Sequence, residues 1–528
     1  MIGLVVASLI FVSSVPPSWS VETTPLDIDR YCSRMPHPEP CKFYLNHPPP
    51  SVPPRNGTEF REMMLRATLE LSLEAHRQVV GLRWKCRRCR AKYVWRDCRK
   101  LYDIMVLQLN QTLRGLGSRH RCSYLDAQTW LSTALTNIET CRLGFRDLNT
   151  ADVISPAISV NLSRLISNTL AVNEVLMMMA SRRPEDYDRK DFPSWVSNHD
   201  RKLLQSNSLA SVQANLVVAK DGSGNSRTIQ EALNEAAKRT SMSSRFIIYV
   251  KSGVYREIIE VAYNNDNIML IGEGIKNTII SGGRSVNGGY TTYSSATAGI
   301  DGLGFIARDI TFCNTAGPNG GQAVALRSAS DLSVFYRCAF LGYQDTLWVL
   351  SQRQFYKASQ VFGTVDFIFG NAAVVFQNCQ IYARKPENGQ PNVITAQGRN
   401  DPYQNTGIVI HKSQIRAAPD LAGVVSSVQT YLGRPWMQYS RTVYMETYMS
   451  SLVSPTGWLA WDTSNFANTV YYGEYMNTGP GSSTSNRVKW NGYHVITSPT
   501  TASSFTVGNF IAGQSWLPAT GVPFTSGL

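Results

Sequence analysis

The sequence predicts an all-α helical bundle followed by an all-β parallel β-helix, and three observations carry that division. Between about residues 28 and 185, apolar side chains recur at helical spacing. From Asn215 onward the chain is rich in Val, Ile, Phe, Tyr, Asn and Gly in short runs. Within that second region, related strand-like segments start at Phe335, Phe355 and Phe376, an even spacing of roughly 20 residues. With 528 residues, two or three domains are expected.

In the first region Leu131, Ala134, Leu135 and Ile138 form an i, i+3, i+4, i+7 stripe. Leu101, Met105, Leu109 and Leu113 form a second stripe, and Ile158, Leu162, Leu165 and Ile166 a third. Amphipathic helices with few glycines predict a bundle. Asp126 is the expected N-cap of the helix carrying the first stripe. A basic stretch from Arg83 to Lys100 contains Cys86 and Cys89 in CxxC spacing. Cys98 and Cys122 would complete four thiolates, but the spacing fits no zinc ribbon. Disulfides or an inserted loop account for it better, and the basic run reads as a solvated face.

The second region repeats Phe335-Tyr-Arg-Cys-Ala-Phe-Leu-Gly342, Phe355-Tyr-Lys-Ala-Ser-Gln-Val-Phe-Gly363 and Phe376-Gln-Asn-Cys-Gln-Ile-Tyr-Ala383. Repeats of this length mark a solenoid. The Leu-x-x-Leu-x-Leu frame of leucine-rich repeats is missing, which leaves the parallel β-helix. Residues one repeat apart then stack on adjacent coils about 4.8 Å apart. Asp366 follows Asp345 by one such repeat, and Gln344 follows Gln322 by another. Two carboxylates and two carboxamides are therefore expected on neighbouring coils of one face.

Adjacent carboxylates titrate as a pair, one neutral and one anionic. The anion can be a nucleophile and the neutral partner a general acid. Two carboxamides can donate to an oxyanion, which suits acyl transfer. A polar ladder serving only the turns, a glycoside hydrolase pair and a calcium site of a lyase fit the spacing as well.

Composition narrows the setting. With 43% hydrophobic and 17% charged residues, the chain is globular. The apolar run at positions 2–12, ending in small residues and prolines near Ser18-Trp19-Ser20, reads as a signal peptide over residues 1–20. No later run approaches a membrane span. An exported chain makes its ten cysteines disulfide candidates, seven of them before residue 150. Asn56, Asn110 and Asn161 are glycosylation acceptors. A net charge of +13 points to a polyanionic partner, and an acidic polysaccharide suits an exported protein best. No DNA-binding signature supports nucleic acid.

Five blocks carry a resemblance: Gly253-Val-Tyr-Arg-Glu257, Gln322-Ala-Val-Ala-Leu-Arg327, Tyr343-Gln-Asp-Thr-Leu347, Gly363-Thr-Val-Asp-Phe-Ile-Phe-Gly370 and Leu432-Gly-Arg-Pro-Trp436. In order and spacing they resemble the signature blocks of pectin methylesterases, over about residues 213–528. The resemblance implies a right-handed parallel β-helix that hydrolyses C6 methyl esters of homogalacturonan without metal or other cofactor. It assigns Asp366 as nucleophile, Asp345 as proton donor and then base, and Gln322 and Gln344 as oxyanion donors. It also implies Arg434 as partner of Asp366, Trp436 as a sugar platform, and Thr297 as a substrate contact.

The front half, about residues 28–185, is similar to the inhibitor-like four-helix pro-domain of longer plant members. That likeness implies Cys32–Cys41 and Cys98–Cys141 bridges. In the linker 186–212, Arg201-Lys202-Leu203-Leu204 is similar to the family's processing site. The implied partners are methyl-esterified homogalacturonan, the chain's own pro-domain, separate inhibitor proteins and a subtilisin-like protease, in the cell wall. Two departures stand out. The stretch from Arg83 to Lys100 is unusually basic for the inhibitor contact, and Ser359 stands where relatives carry a cysteine that pairs with Cys379. That leaves Cys379 free, or Cys313 and Cys338 bridged alone. Trp348 and Leu350 are off pattern and bear on a subsite. A non-catalytic wall-binding or inhibitor protein and another pectin-active β-helix enzyme are the rival readings. The Gly-His-Gly and Arg-Ile-Lys motifs of polygalacturonases are missing, and a lyase would need calcium.

Overall fold

The computed structural model describes residues 27–47, 53–81, 91–117, 122–150, 154–181, 213–462 and 464–528. The signal-like N terminus, Cys86, Cys89 and the dibasic Arg201-Lys202-Leu203-Leu204 lie outside these residues.

A short hairpin, α1 (Ile28–Cys32) and α2 (Pro38–Asn46), leads the helical part and is closed by a Cys32–Cys41 disulfide. Four long helices follow: α3 (Gly57–Gly81), α4 (Ala91–Gly117), α5 (Tyr124–Asp147) and α6 (Pro156–Ser181). Each packs on two neighbours, α3 on α4 and α6, α5 on α4 and α6, which closes a four-helix ring. Its core includes the predicted stripes: Leu131, Ala134, Leu135 and Ile138 from α5, Leu101, Met105 and Leu109 from α4, and Leu162, Leu165 and Ile166 from α6. Cys98 bridges Cys141 and so ties α4 to α5.

Two expectations are corrected here. The N-cap of α5 is Ser123, not Asp126: the Ser123 hydroxyl accepts from the Asp126 N–H, and the Asp126 carboxylate accepts from the Ser123 N–H. A Ser-x-x-Asp box satisfies two helix-end donors at once, which a lone cap at Asp126 would not. The basic run also does not end as a solvated face. Asp97 is buried and Lys100 half-buried against the β-helical part. Of the three glycosylation acceptors, Asn56 is exposed at the start of α3, while Asn110 and Asn161 are half-buried on α4 and α6.

The second part winds into coils that build three parallel sheets of 11, 7 and 8 strands among the described residues. Each coil passes through the first, the third and then the second sheet. One such coil runs Ser333–Tyr336, Ala339–Leu341, Leu347–Val349. The next runs Arg353–Lys357, Gln360–Gly363, Ile368–Gly370. Pairing sets Phe335, Tyr356 and Phe376 in one column, with ring centroids 4.7 and 4.5 Å apart. This stack of offset rings fills the interior.

The corner from the first to the third sheet keeps one form. From Asp309 on, Arg337, Ala358, Asn378, Lys412, Glu446 and Met476 each take a positive φ there. The residue after it points inward in a ladder: Cys338 N–H donates to the Ser359 hydroxyl, Cys379 N–H to Ser413, and Ser413 N–H to Thr447. Ser359 thus takes a place in the ladder between two cysteines. Cys313, Cys338 and Cys379 are all free, as is Cys122.

Candidate active site

The catalytic candidates gather at one corner, between the third and second sheets. Asp345 follows Ala339–Leu341, and Asp366 follows Gln360–Gly363 one coil later; the Asp345 N–H donates to the Val365 carbonyl at 3.0 Å. Both aspartates adopt left-handed backbone, at φ 59° and 51°. Asp tolerates that region better than most side chains, and it turns both carboxylates out of the coil. Gln322 and Gln344 lie on adjacent coils, where the Ala323 N–H donates to the Gln344 carbonyl at 3.3 Å. Among the described residues neither carboxamide is committed to a hydrogen bond.

Arg434 belongs to Thr430–Pro435 of the second sheet, two coils beyond Asp366. Its Nε and Nη2 donate to the two Asp366 carboxylate oxygens at 2.8 and 2.6 Å, a bidentate pair. Its guanidinium also lies 4.3 Å over the Trp461 ring. Trp436 sits beside it and meets Phe369 edge to face, at a centroid distance of 5.9 Å. Thr297 lies one coil before Gln322, buried, with its hydroxyl donated to the Cys313 carbonyl at 3.0 Å.

The two carboxyls are not equivalent. Burial raises the Asp345 carboxyl well above the usual range, with further push from Asp366 and Asp147. Burial raises Asp366 too, but hydrogen bonds and charge from Arg434 pull against it. Asp345 is therefore the carboxyl pushed further toward its neutral form, while Arg434 favours the anion at Asp366.

The sequence reading missed Trp461 and the role of Arg327. Trp461 lies in no repeat, and only folding places it under Arg434. Arg327 heads a column on the outer face of the second sheet: Arg327, Trp348, Phe369, Ala396 and Arg434 are register neighbours. Gly299 stands on the coil before Arg327, and a Cβ there would come within 2.4 Å of the guanidinium and 2.6 Å of Glu260. Its absence lets Arg327 reach Glu260 at 3.3 Å across the intervening coil. Trp348 is fully buried, stacked on Phe369 at 4.9 Å. It packs with Leu350 into the helical core.

The helical part covers this face. Asp97 on α4 accepts from the hydroxyls of Thr291 and Ser294, the latter at 2.7 Å. Lys100 reaches Glu260 and Asp301 at 2.6 Å each, and Arg327 meets Asp301 at 2.6 Å. Burial alone would raise Asp301, but Arg327 and Lys100 hold it at about 2. Along α5, Asp126 pairs with Arg353 at 2.8 Å, Thr136 accepts from Asn371 at 2.9 Å, and Asp147 accepts from the Thr292 N–H at 2.7 Å. These contacts span the column from Arg327 to Arg434. Asp147, at the end of α5, is close enough to act on Asp345.

The comparisons agree with this division. A family model described as pectinesterase matches residues 215–514. One described as plant invertase/pectin methylesterase inhibitor matches residues 27–172. Pectinesterase 2 of Citrus sinensis is 54% identical over 525 residues, covering 99% of each chain. Probable pectinesterase/pectinesterase inhibitor 59 of Arabidopsis thaliana is 54% identical and covers 94% of this chain and 93% of its own. Among solved structures, the pectin methylesterase from carrot superposes with a TM-score of 0.59 at 56% identity, covering 60% of this chain and 99% of its own. The enzyme from Aspergillus niger gives 0.51 at 31% identity, covering 58% and 96%. A match of this extent over both parts means that the chain belongs to the pectinesterase family, as a pectinesterase with an inhibitor-type helical domain ahead of its β-helix.

Proposed function

We propose that the β-helix hydrolyses C6 methyl esters of homogalacturonan by an aspartyl mechanism, and that the helical domain holds it silent until the chain is cut. The observation that carries the first half is the asymmetric pair: Asp366 clamped by Arg434, and Asp345 one coil away without a cation of its own. An Asp366 oxygen attacks the ester carbonyl carbon, and the oxyanion accepts from the Gln322 and Gln344 carboxamides. Asp345 gives its proton to the departing methoxy group, and methanol leaves an acyl-enzyme. Asp345, now a carboxylate, takes a proton from water, and the hydroxide attacks the acyl carbon. Collapse frees Asp366 and a galacturonate. Trp436 supplies a face for a sugar ring.

Secretion through residues 1–20, a pro-domain over 28–185, cleavage by a subtilisin-like protease at Arg201-Lys202-Leu203-Leu204 within 186–212, and a catalytic domain over 213–528 complete the reading. Separate inhibitor proteins would take the same face. Glycosylation is proposed at Asn56, Asn110 and Asn161, and the working place is the plant cell wall. Support for inhibition comes from α4 and α5 lying across the column that ends in Arg434.

Methanol release from highly methylated pectin tests both halves. The separated β-helical part, cut within residues 201–204, is expected to release methanol in the presence of EDTA, and the uncut chain to release far less. Silence from a folded, separated domain would sink the esterase mechanism. Equal rates before and after cutting would sink the inhibition.

Inhibition should also depend on pH. Burial raises Asp97 to about 6 from an ordinary 3.8, against the hydrogen bonds from Thr291 and Ser294 and the charges of Arg96 and Arg327. The docked state thus holds the extra proton. Docking is fully favoured below about pH 4, and that advantage is lost as pH rises through 6. Asp147 and Glu174, also raised by burial, act in the same sense. Asp126, lowered by Arg353 in spite of burial, opposes it only in more acidic solution. The dissociation constant of the cut, two-part complex should rise by up to about tenfold per pH unit between 4 and 6. A flat profile over that range would remove Asp97 from the account.

A further inference from the structure

The two catalytic turns start from glycines one coil apart. Gly342-Tyr-Gln-Asp345 and Gly363-Thr-Val-Asp366 both leave the third sheet just past the pair Leu341 and Phe362. In a regular parallel ladder, a residue that gives its N–H to one residue of the next strand takes an N–H from the residue two further on. Gly342 begins that way, donating to the Phe362 carbonyl at 3.2 Å, so the Thr364 N–H is the donor expected at its own carbonyl. That N–H goes instead to the Tyr343 carbonyl, at 3.0 Å. The ladder slips by one residue where the chain turns out toward Asp345, and the Gly342 carbonyl loses its ladder donor.

Arg384 makes up the loss. One coil beyond Gly363 the ladder is regular, and the Arg384 N–H donates to the Gly363 carbonyl at 2.8 Å. The side chain of the same residue reaches back past that coil. Its Nη1 donates to the Gly342 carbonyl at 3.1 Å and its Nη2 to the Tyr343 hydroxyl at 2.7 Å, with the guanidinium 3.9 Å over the Tyr343 ring. Its Nε donates at 3.0 Å to Asp420, on the short helix Pro419–Ala422, and Asp420 also accepts from the Lys385 N–H at 3.4 Å. One residue thus grips the first residue of each catalytic turn, across two coil steps or about 10 Å.

We infer that Arg384 is a positioning residue, which fixes the Gly342–Asp345 turn against the Gly363–Asp366 turn and so sets the oxyanion donor Gln344 against the nucleophile Asp366. This role rests on the aspartyl mechanism proposed above. Oxyanion stabilisation needs its donor in place before the charge develops. Among the described residues no partner holds the Gln344 carboxamide, so the backbone beneath it has to be held instead. A lysine cannot stand in fully, because a single ammonium does not reach a carbonyl, a phenol and a carboxylate laid out along a planar fork.

The β-helical part corresponds to nearly the whole of the carrot chain, so it is assayed separated from the helical domain. R384Q is expected to lower kcat for methanol release about 10- to 100-fold while KM stays within about twofold. R384K should recover part of the loss. Because Arg384 acts through Gln344, R384Q should add less than about threefold to the effect of Q344A. An equal penalty in both backgrounds would overturn the inference. So would a raised KM at unchanged kcat, which would make Arg384 a substrate contact. If R384Q lowers the melting temperature, R384K carries the test, and a wild-type kcat in R384K would likewise overturn the role. The two readings separate: wild-type methanol release by D366A sinks the mechanism, whereas additive losses in R384Q and Q344A sink the positioning role alone.

Discussion

Asp366→Ala is expected to lower methanol release by the separated catalytic domain at least about a thousandfold, with folding unchanged. Among the described residues, its carboxylate is the one anion of the cleft held by a bidentate cation, so its loss removes the attacking atom and leaves Arg434 unpaired. Asp345→Asn should be milder, about a hundredfold or more, because it removes proton transfer and keeps the attack. It should also flatten the pH profile on its alkaline side, since the neutral acid that must stay protonated is gone. Arg434→Lys should fall between the two: a lysine cannot make the planar double contact or stack on Trp461. Activity within tenfold of wild type in Asp366→Ala would mean that another group attacks the ester. A rate assay with enzyme of verified melting temperature decides among these outcomes.

Lys100→Met is expected to loosen the helical domain from the β-helix. Lys100 is the pro-domain's one contribution, among the described residues, to the cluster of half-buried Glu260 with buried Asp301 and Arg327. Burial alone would lower its pKa, but Asp301, Tyr293 and Glu260 push it up, so it docks as a cation. Removing one partner of a buried charge pair costs about 2–5 kcal/mol. Arg327 remains to hold Asp301, which argues for the lower end, about 2–3 kcal/mol or roughly 30- to 150-fold in the dissociation constant of the cut complex. Arg99→Met serves as the control, because Arg99 is half-exposed and faces Asp103 on its own helix. Methanol release during dilution of the cut complex reads the difference. Identical behaviour of the two variants would show that the apolar column, not this cluster, carries the docking.

The regular coils were legible in the sequence. Segments starting at Phe335, Phe355 and Phe376 show the period to within one residue, since Tyr356 rather than Phe355 pairs with Phe335 and Phe376. The same coil length that pairs Leu347 with Ile368 stacks Asp345 on Asp366. The helical stripes were legible for the same reason, since one face of each helix must be apolar. What broke the reading was irregular length. From Val375 the column continues at Val409 and then Val443, so each of these coils is much longer than the ones before it. Arg434 therefore had no spacing to announce it, and came only from the block Leu432-Gly-Arg-Pro-Trp436. Trp461 had neither spacing nor block. The interface was hidden for another reason. A lysine in a basic run looks solvated until Glu260 and Asp301, from the far half of the chain, are brought alongside it.

The unvarying corner has a consequence for how such an enzyme can diversify. Every coil from Asp309 onward passes from the first to the third sheet through a two-residue bend, and the ladder of Ser359, Cys379, Ser413 and Thr447 locks it from inside. That edge works as a spine, with no room to lengthen. Added residues can enter only at the other two corners, as those at 384–391 and 398–406 do. One of those corners carries the aspartates. The scaffold thus channels insertions toward the working edge, where they reshape what is recognised while the axis behind them keeps its pitch.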